Sequence, residues 1–174
     1  RGTGVQIADI PLNEAEALEI VGRNDLCCAF SDVKPQTMSD LIRIQGCGHS
    51  TYSDGQDTKK QYKLSELVCT RDDIVNVLTG TPTSREDAVE FMRLVSFGRL
   101  QYSDVPEELR IYADDSYMDM MRKVQYLYPK AHVTVLSVDL YALGWYRIHH
   151  TETFERLYNE TIPLEGVLVN EGII

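Results

Sequence analysis

Apolar and polar positions follow two periods along this chain, and the switches between them predict its elements. Asn13 followed three residues later by Glu16 is a capping-box arrangement. It predicts a helix through Ala15, Leu18 and Val21 that Gly22 ends. Leu26 to Phe30 and Leu41 to Gln45 are short apolar runs around a polar stretch holding Pro35, the pattern of two strands joined by a loop. Thr51 to Lys63 is polar, carries both charge signs and contains Ser53-Asp54-Gly55, so it reads as an exposed connection between two halves. Thr70 with Asp73 and Ser84 with Asp87 cap two further helices, closed by Gly80 and Gly98. From Asp114 to Tyr128, residues Tyr117, Met120, Met121, Val124, Leu127 and Tyr128 recur with the helical period, and Pro129 stops the run. Met118 lies off that stripe and marks surplus apolar surface suited to a protein partner. Val133 to Leu140 is apolar on both faces, as a central strand covered on both sides would be. Gly144 to Ile148 and Val167 to Val169 supply further strands, with a turn at Ile162-Pro163-Leu164. The sum is an α/β (α+β) fold with a mixed or antiparallel sheet, in one lobe over 1–55 and a second over 64–174.

Composition narrows the functional classes. Hydrophobic residues make up 43% and charged residues 25%, which implies a packed core. Seventeen basic against 27 acidic residues leave a net charge of −10, the wrong sign for gripping a polyanion through a broad surface, so any RNA contact must be a local patch. No run approaches the ~20 apolar residues of a membrane span. The chain opens at Arg1 without a signal-like segment, which leads us to expect an intracellular protein, cytoplasmic or mitochondrial, with residues upstream of Arg1. Cys27, Cys28, Cys47 and Cys69 form neither a disulfide framework nor a CxxC pair, which fits a reducing compartment. Cys47-Gly48-His49 is half of a zinc pattern without a regularly spaced second half, so buried thiols are the simpler reading and no metal is expected. His149-His150 with Glu152 reads as a polar loop, because adjacent strand residues face opposite ways.

The order of segments resembles the RNA 2'-phosphotransferase family. Gly4-Val5-Gln6-Ile7, the helix ending Ile20-Val21, Asn24-Asp25 and Phe30 look like that family's opening. Leu41-Ile42-Arg43-Ile44-Gln45-Gly46-Cys47-Gly48-His49-Ser50 is similar to its Ile-Arg-Ala-x-Gln-Gly-His-Ser strand with one extra residue. Ile111-Tyr112-Ala113, Val135-Leu136-Ser137-Val138-Asp139, Tyr146-Arg147 and Ile162-Pro163-Leu164-Glu165 follow in the family's order. The resemblance implies a small winged-helix-like N-terminal lobe and an ADP-ribosyltransferase-like C-terminal lobe, with NAD⁺ held between them.

Carried over residue by residue, the resemblance gives Arg43 as a catalytic phosphate donor, with Arg110 as a substitute for an arginine whose expected place falls near Glu107. It gives His49, Ser50 and Thr70 as cofactor-binding positions, although Val68 and Cys69 replace the family's His-Gly ahead of that threonine. With its phosphate positions emptied, the chain is expected to be a degenerate module without a cofactor. It would serve as a binding or architectural subunit, with protein partners, in an assembly such as a ribonucleoprotein. The alternatives are an active NAD⁺-dependent RNA 2'-phosphotransferase with its missing residues upstream of Arg1, and an ADP-ribosyltransferase using Glu165. Tyr117, Tyr126 and Tyr128 are read as core or partner packing rather than base stacking.

Overall fold

The computed structural model describes residues 4–22, 33–79, 81–103 and 115–161. Along them run α1 (Ala15–Gly22), α2 (Met38–His49), β1 (Thr51–Tyr52), α3 (Asp57–Gln61), α4 (Arg71–Leu78) and α5 (Arg85–Ser96), then α6 (Asp115–Lys123), β2 (Val124–Tyr126), α7 (Lys130–His149) and α8 (Thr151–Thr161). Short 3-10 helices occupy Ile7–Asp9 and Leu100–Tyr102. Strands β1 and β2 pair antiparallel, Thr51 opposite Tyr126 and Tyr52 opposite Val124, with a bulge between the two pairs. The sheet among the described residues is thus two strands. Two compact units divide the chain: Arg1–Gln45 with Thr134–Ile174, and Gly46–Val133.

Several elements depart from the sequence reading, each for a local reason. The segment 41–45, expected as a strand, lies inside α2. A true capping box starts that helix. The Asp40 carboxylate accepts from the Thr37 N–H at 2.9 Å, and the Thr37 hydroxyl accepts from the Asp40 N–H at 3.2 Å. Thr37→Ala is expected to cost about 1 kcal/mol, read as a shift in the urea midpoint at unchanged m-value.

Residues 133–140 and 144–148, also expected as strands, belong to α7. Val133, Ser137, Leu140, Tyr141 and Gly144, spaced i, i+4, i+7, i+8 and i+11, are buried, with Ala142 beside them. A serine and a glycine on the buried face hid that period. Val135, which supported a strand covered on both sides, is exposed. His149 ends this helix instead of lying in a loop.

Helix α1 begins at Ala15, with the Glu14 carbonyl accepting from the Leu18 N–H, so Asn13 stands outside the first turn. Thr51–Lys63 contains β1 and α3 and buries Tyr52, Thr58 and Lys59, so it is no exposed connection. Helix α6 stops at Lys123, leaving Tyr126 in β2 and Tyr128 beyond it. Met118 is only 8% exposed, which removes it as a probe of a partner surface. The expected strands at 26–30 and 167–169 and the turn at 162–164 lie outside the described residues.

Each unit has its own apolar centre. In the first, Ala17, Leu18 and Val21 of α1 meet Leu41, Leu140, Tyr141 and Ala142, with Trp145 and Tyr146 against them. Gly144 permits the approach: a Cβ there would come within 2.7 Å of Val21 Cγ1 and 3.3 Å of the Ala17 carbonyl. The Tyr141 hydroxyl donates to the Pro11 carbonyl at 2.6 Å and accepts from the Glu14 N–H at 2.9 Å, fixing the entry to α1. In the second unit Ile74, Phe91, Val95, Leu100, Met120 and Leu127 are buried. The turn after α5 places Gly98 against β2, where the Leu127 N–H donates to the Ser96 carbonyl.

Candidate functional site

The N-terminus of α4 is held by a network of hydrogen bonds within the second unit. The Asp73 carboxylate accepts from the Cys69 and Thr70 N–H groups, both at 2.8 Å, satisfying donors that the start of a helix leaves unpaired. This fixes Arg71 at the first helical position. Its N–H donates to the Tyr128 carbonyl (3.1 Å) and its Nε to the Leu127 carbonyl (2.8 Å). One terminal nitrogen donates to the Tyr126 hydroxyl at 3.0 Å. The Lys130 N–H donates to Asp72, so residues 126–130 are tied to the helix start from both sides.

Around the guanidinium stands a set of aromatic rings. Its carbon lies 4.8 Å from the Phe97 centroid and 5.3 Å from that of Tyr126. Tyr126 and Tyr128 meet edge-to-face at 4.9 Å, Tyr128 and His132 stack at 5.2 Å, and His49 approaches Tyr128 at 5.8 Å. Phe97 is 47% exposed, which is unusual for a ring that could have been buried. Arg71 spends two side-chain donors on the bonds to Leu127 and Tyr126, and the other N–H groups of its fork have no acceptor among the described residues. A guanidinium held in place, flanked by ring faces and with donors to spare can take a phosphate, and the neighbouring rings can take a base.

The positions inferred from the sequence are placed differently. Ser50 and Thr70 are buried. The Ser50 hydroxyl donates to the Cys69 carbonyl at 2.7 Å, and a Cβ at Gly46 would lie 2.9 Å from Thr70 Cγ2, so both side chains stand in a close helix-to-loop contact. His49 ends α2 and reaches the aromatic set, whereas Arg43 lies half-buried on the part of α2 that belongs to the first unit. Arg110, Glu107, Glu165, Cys27 and Cys28 lie outside the described residues. Cys47 and Cys69 are buried thiols outside any disulfide, and among the described residues no three His, Cys, Asp or Glu side chains converge as a metal site requires. Behind them, burial above all, with Cys69 and Cys47 adding to it, pushes the Tyr52 phenol well above its ordinary range. It stays a neutral donor to the Val68 carbonyl at 2.6 Å.

Arg71 and Phe97 were missed in the sequence. An arginine directly after a helix cap pointed to Arg71, and the alternation Tyr126-x-Tyr128, which has a strand period rather than a helical one, pointed to its ring neighbours; nothing local pointed to Phe97.

No family model matches the chain. A DNA polymerase III PolC-type of Staphylococcus saprophyticus is 30% identical over 127 residues, which cover 70% of this chain and 9% of the polymerase. Its counterparts in Bacillus subtilis (28% over 135 residues) and Thermotoga maritima (25% over 133 residues) cover 74% and 73% of the chain. The chain is similar to a segment of a DNA polymerase. It spans about a tenth of the length of these relatives, 9% to 10%.

These relatives overturn the RNA 2'-phosphotransferase reading, in its degenerate and its active form alike, and the ribonucleoprotein and ADP-ribosyltransferase readings that came with it. Motifs such as Val-Leu-x-Val-Asp or Ile-Arg-x-Gln-Gly are made of common residues, and their order alone mimicked a family. With the resemblance goes the reason to place an NAD⁺ cleft around Arg43, His49, Ser50 and Thr70. The stretch 133–140, matched to one of that family's strands, is helical here. Among the described residues no helix is long and apolar enough to cross a membrane.

Proposed function

We propose that this chain acts in DNA replication as a DNA-holding segment of the PolC type, with Arg71 and its aromatic neighbours as a contact surface for primer–template. The observation that carries this reading is the similarity to PolC-type polymerases over 127 to 135 residues in organisms as distant as Staphylococcus and Thermotoga. The spare donors of Arg71 beside the exposed Phe97 support it. So does the coarser expectation of a protein or nucleic-acid context, since the polymerases it resembles are many times its length. The relatives reported are bacterial, which lends the mitochondrial alternative no support.

A net charge of −10 opposes DNA binding at long range, so the contact must be local and weak in the isolated chain. Fluorescence anisotropy with a labelled primer–template at low salt is expected to give affinity on the order of micromolar, within the non-specific range. Arg71→Gln should weaken it about tenfold, the worth of one charge-assisted hydrogen bond. Arg71→Lys, which keeps charge but loses the fork, should fall between. Circular dichroism checks that both variants fold. A folded wild-type chain that binds neither primer–template nor single strands would overturn the proposal.

A further inference from the structure

A groove of about 660 Å³ runs along α5 to the turn that follows it. Arg85, Arg93 and Arg99 line it, all exposed. None of the three guanidinium groups has a carboxylate or other side-chain partner among the described residues. In a chain carrying 27 acidic residues, three cations on one groove without a described partner are a local reversal of the overall charge. Val89, Leu94 and Phe97 give the same groove an apolar floor. Phe97 is also the ring over which Arg71 sits, so the groove runs into the aromatic set.

The spacing suits an extended ligand. Arg85, Val89 and Arg93 fall at i, i+4 and i+8 on one stripe, so the two arginines stand ~12 Å apart along the helix axis. Roughly three to four stacked nucleotides cover that length, at ~3.4 Å each. Cations spaced along an apolar floor that ends on an exposed aromatic ring are the ingredients of a single-strand site: phosphates meet the arginines and a base stacks on the ring. A duplex offers its phosphates but no free base face. Glu86 and Glu90 lie on the neighbouring stripe of the groove and oppose any polyanion there, which makes the site weak and gives a test in the opposite direction.

We infer that the α5 groove is a track for single-stranded DNA, with Arg93 and Arg99 on phosphates and Phe97 stacking a base. This rests on the proposed role in holding primer–template and assigns the unpaired template strand to this groove. The probe is a labelled oligothymidylate of twelve nucleotides, titrated by anisotropy with the full chain over a range of salt, beside a blunt duplex of the same length. Arg93→Ala and Arg99→Ala should each weaken binding severalfold and lower the slope of log affinity against log salt by about 0.7, the value for one phosphate contact on a single strand. Phe97→Ala should weaken binding tenfold or more with the slope unchanged. Glu90→Gln should strengthen it about two- to threefold, a gain that misfolding cannot produce. If the chain binds primer–template and these variants leave oligothymidylate binding and its slope unmoved, the groove assignment falls while the proposed function stands. Equal losses on duplex and single strand would reduce the groove to a general polyanion surface and overturn the inference. Failure of the wild type to bind any DNA would sink the proposed function, and this inference with it.

Discussion

Gly98→Val is expected to cost about 2–5 kcal/mol and to lower the thermal midpoint by roughly 4–20 degrees. Two penalties add. Gly98 has φ +66, a left-handed conformation that costs an L-residue about 1–2 kcal/mol. A Cβ there would also lie 2.9 Å from the Gln125 carbonyl oxygen and 3.1 Å from its Cα. Both are backbone atoms of β2 that cannot swing aside, and overpacking of this kind costs about 1–3 kcal/mol more. Gly55 separates the two terms: its φ is +65, but nothing lies within 4 Å of a Cβ built on it. Gly55→Ala should therefore show the conformational cost alone, about 1 kcal/mol. Urea titrations followed by far-ultraviolet circular dichroism would decide; equal losses at the two sites would mean that the turn does not press on β2.

Leu18→Ala should cost about 3 kcal/mol, in the range found when a fully buried leucine leaves a cavity. Leu18 is wholly buried between α1 and the residues of α7 in the first unit. Trp145, the single tryptophan of the chain, packs against this cluster, so its fluorescence reports on the unit directly. The urea midpoint followed by fluorescence should fall markedly. A fluorescence transition that stays at its wild-type midpoint would show that Leu18 does not hold this core together.

What was legible in the sequence was local. Thr70 and Ser84 announced α4 and α5 because a cap is a contact between residues three apart, and Asp87 does donate its N–H to the Ser84 hydroxyl, at 3.1 Å. Helix α7 was not legible because Ser137 and Gly144 sit on its buried face, so an apolar count saw β-branched residues on all sides instead of a stripe. The same failure hid the site. Tyr126 and Tyr128 were assigned to a helix, where they looked like core, but α6 ends at Lys123 and the two rings lie beyond it beside Arg71. Arg71 gains its significance only from Phe97, 26 positions on, and no local pattern joins those two residues.

The first unit is built from both arms of the chain, Arg1–Gln45 and Thr134–Ile174, with Gly46–Val133 between them. That topology sets an order of events on the ribosome. Helix α1 emerges with Leu18 and Val21 facing solvent, because Leu140, Tyr141 and Ala142, which cover them, are translated more than a hundred residues later. At roughly 5–20 residues per second, the apolar stripe of the nascent chain waits at least several seconds for its cover. The contiguous stretch 46–133 can meanwhile gather its own contacts. A message that stalls between α1 and α7 would release α1 with that stripe bare.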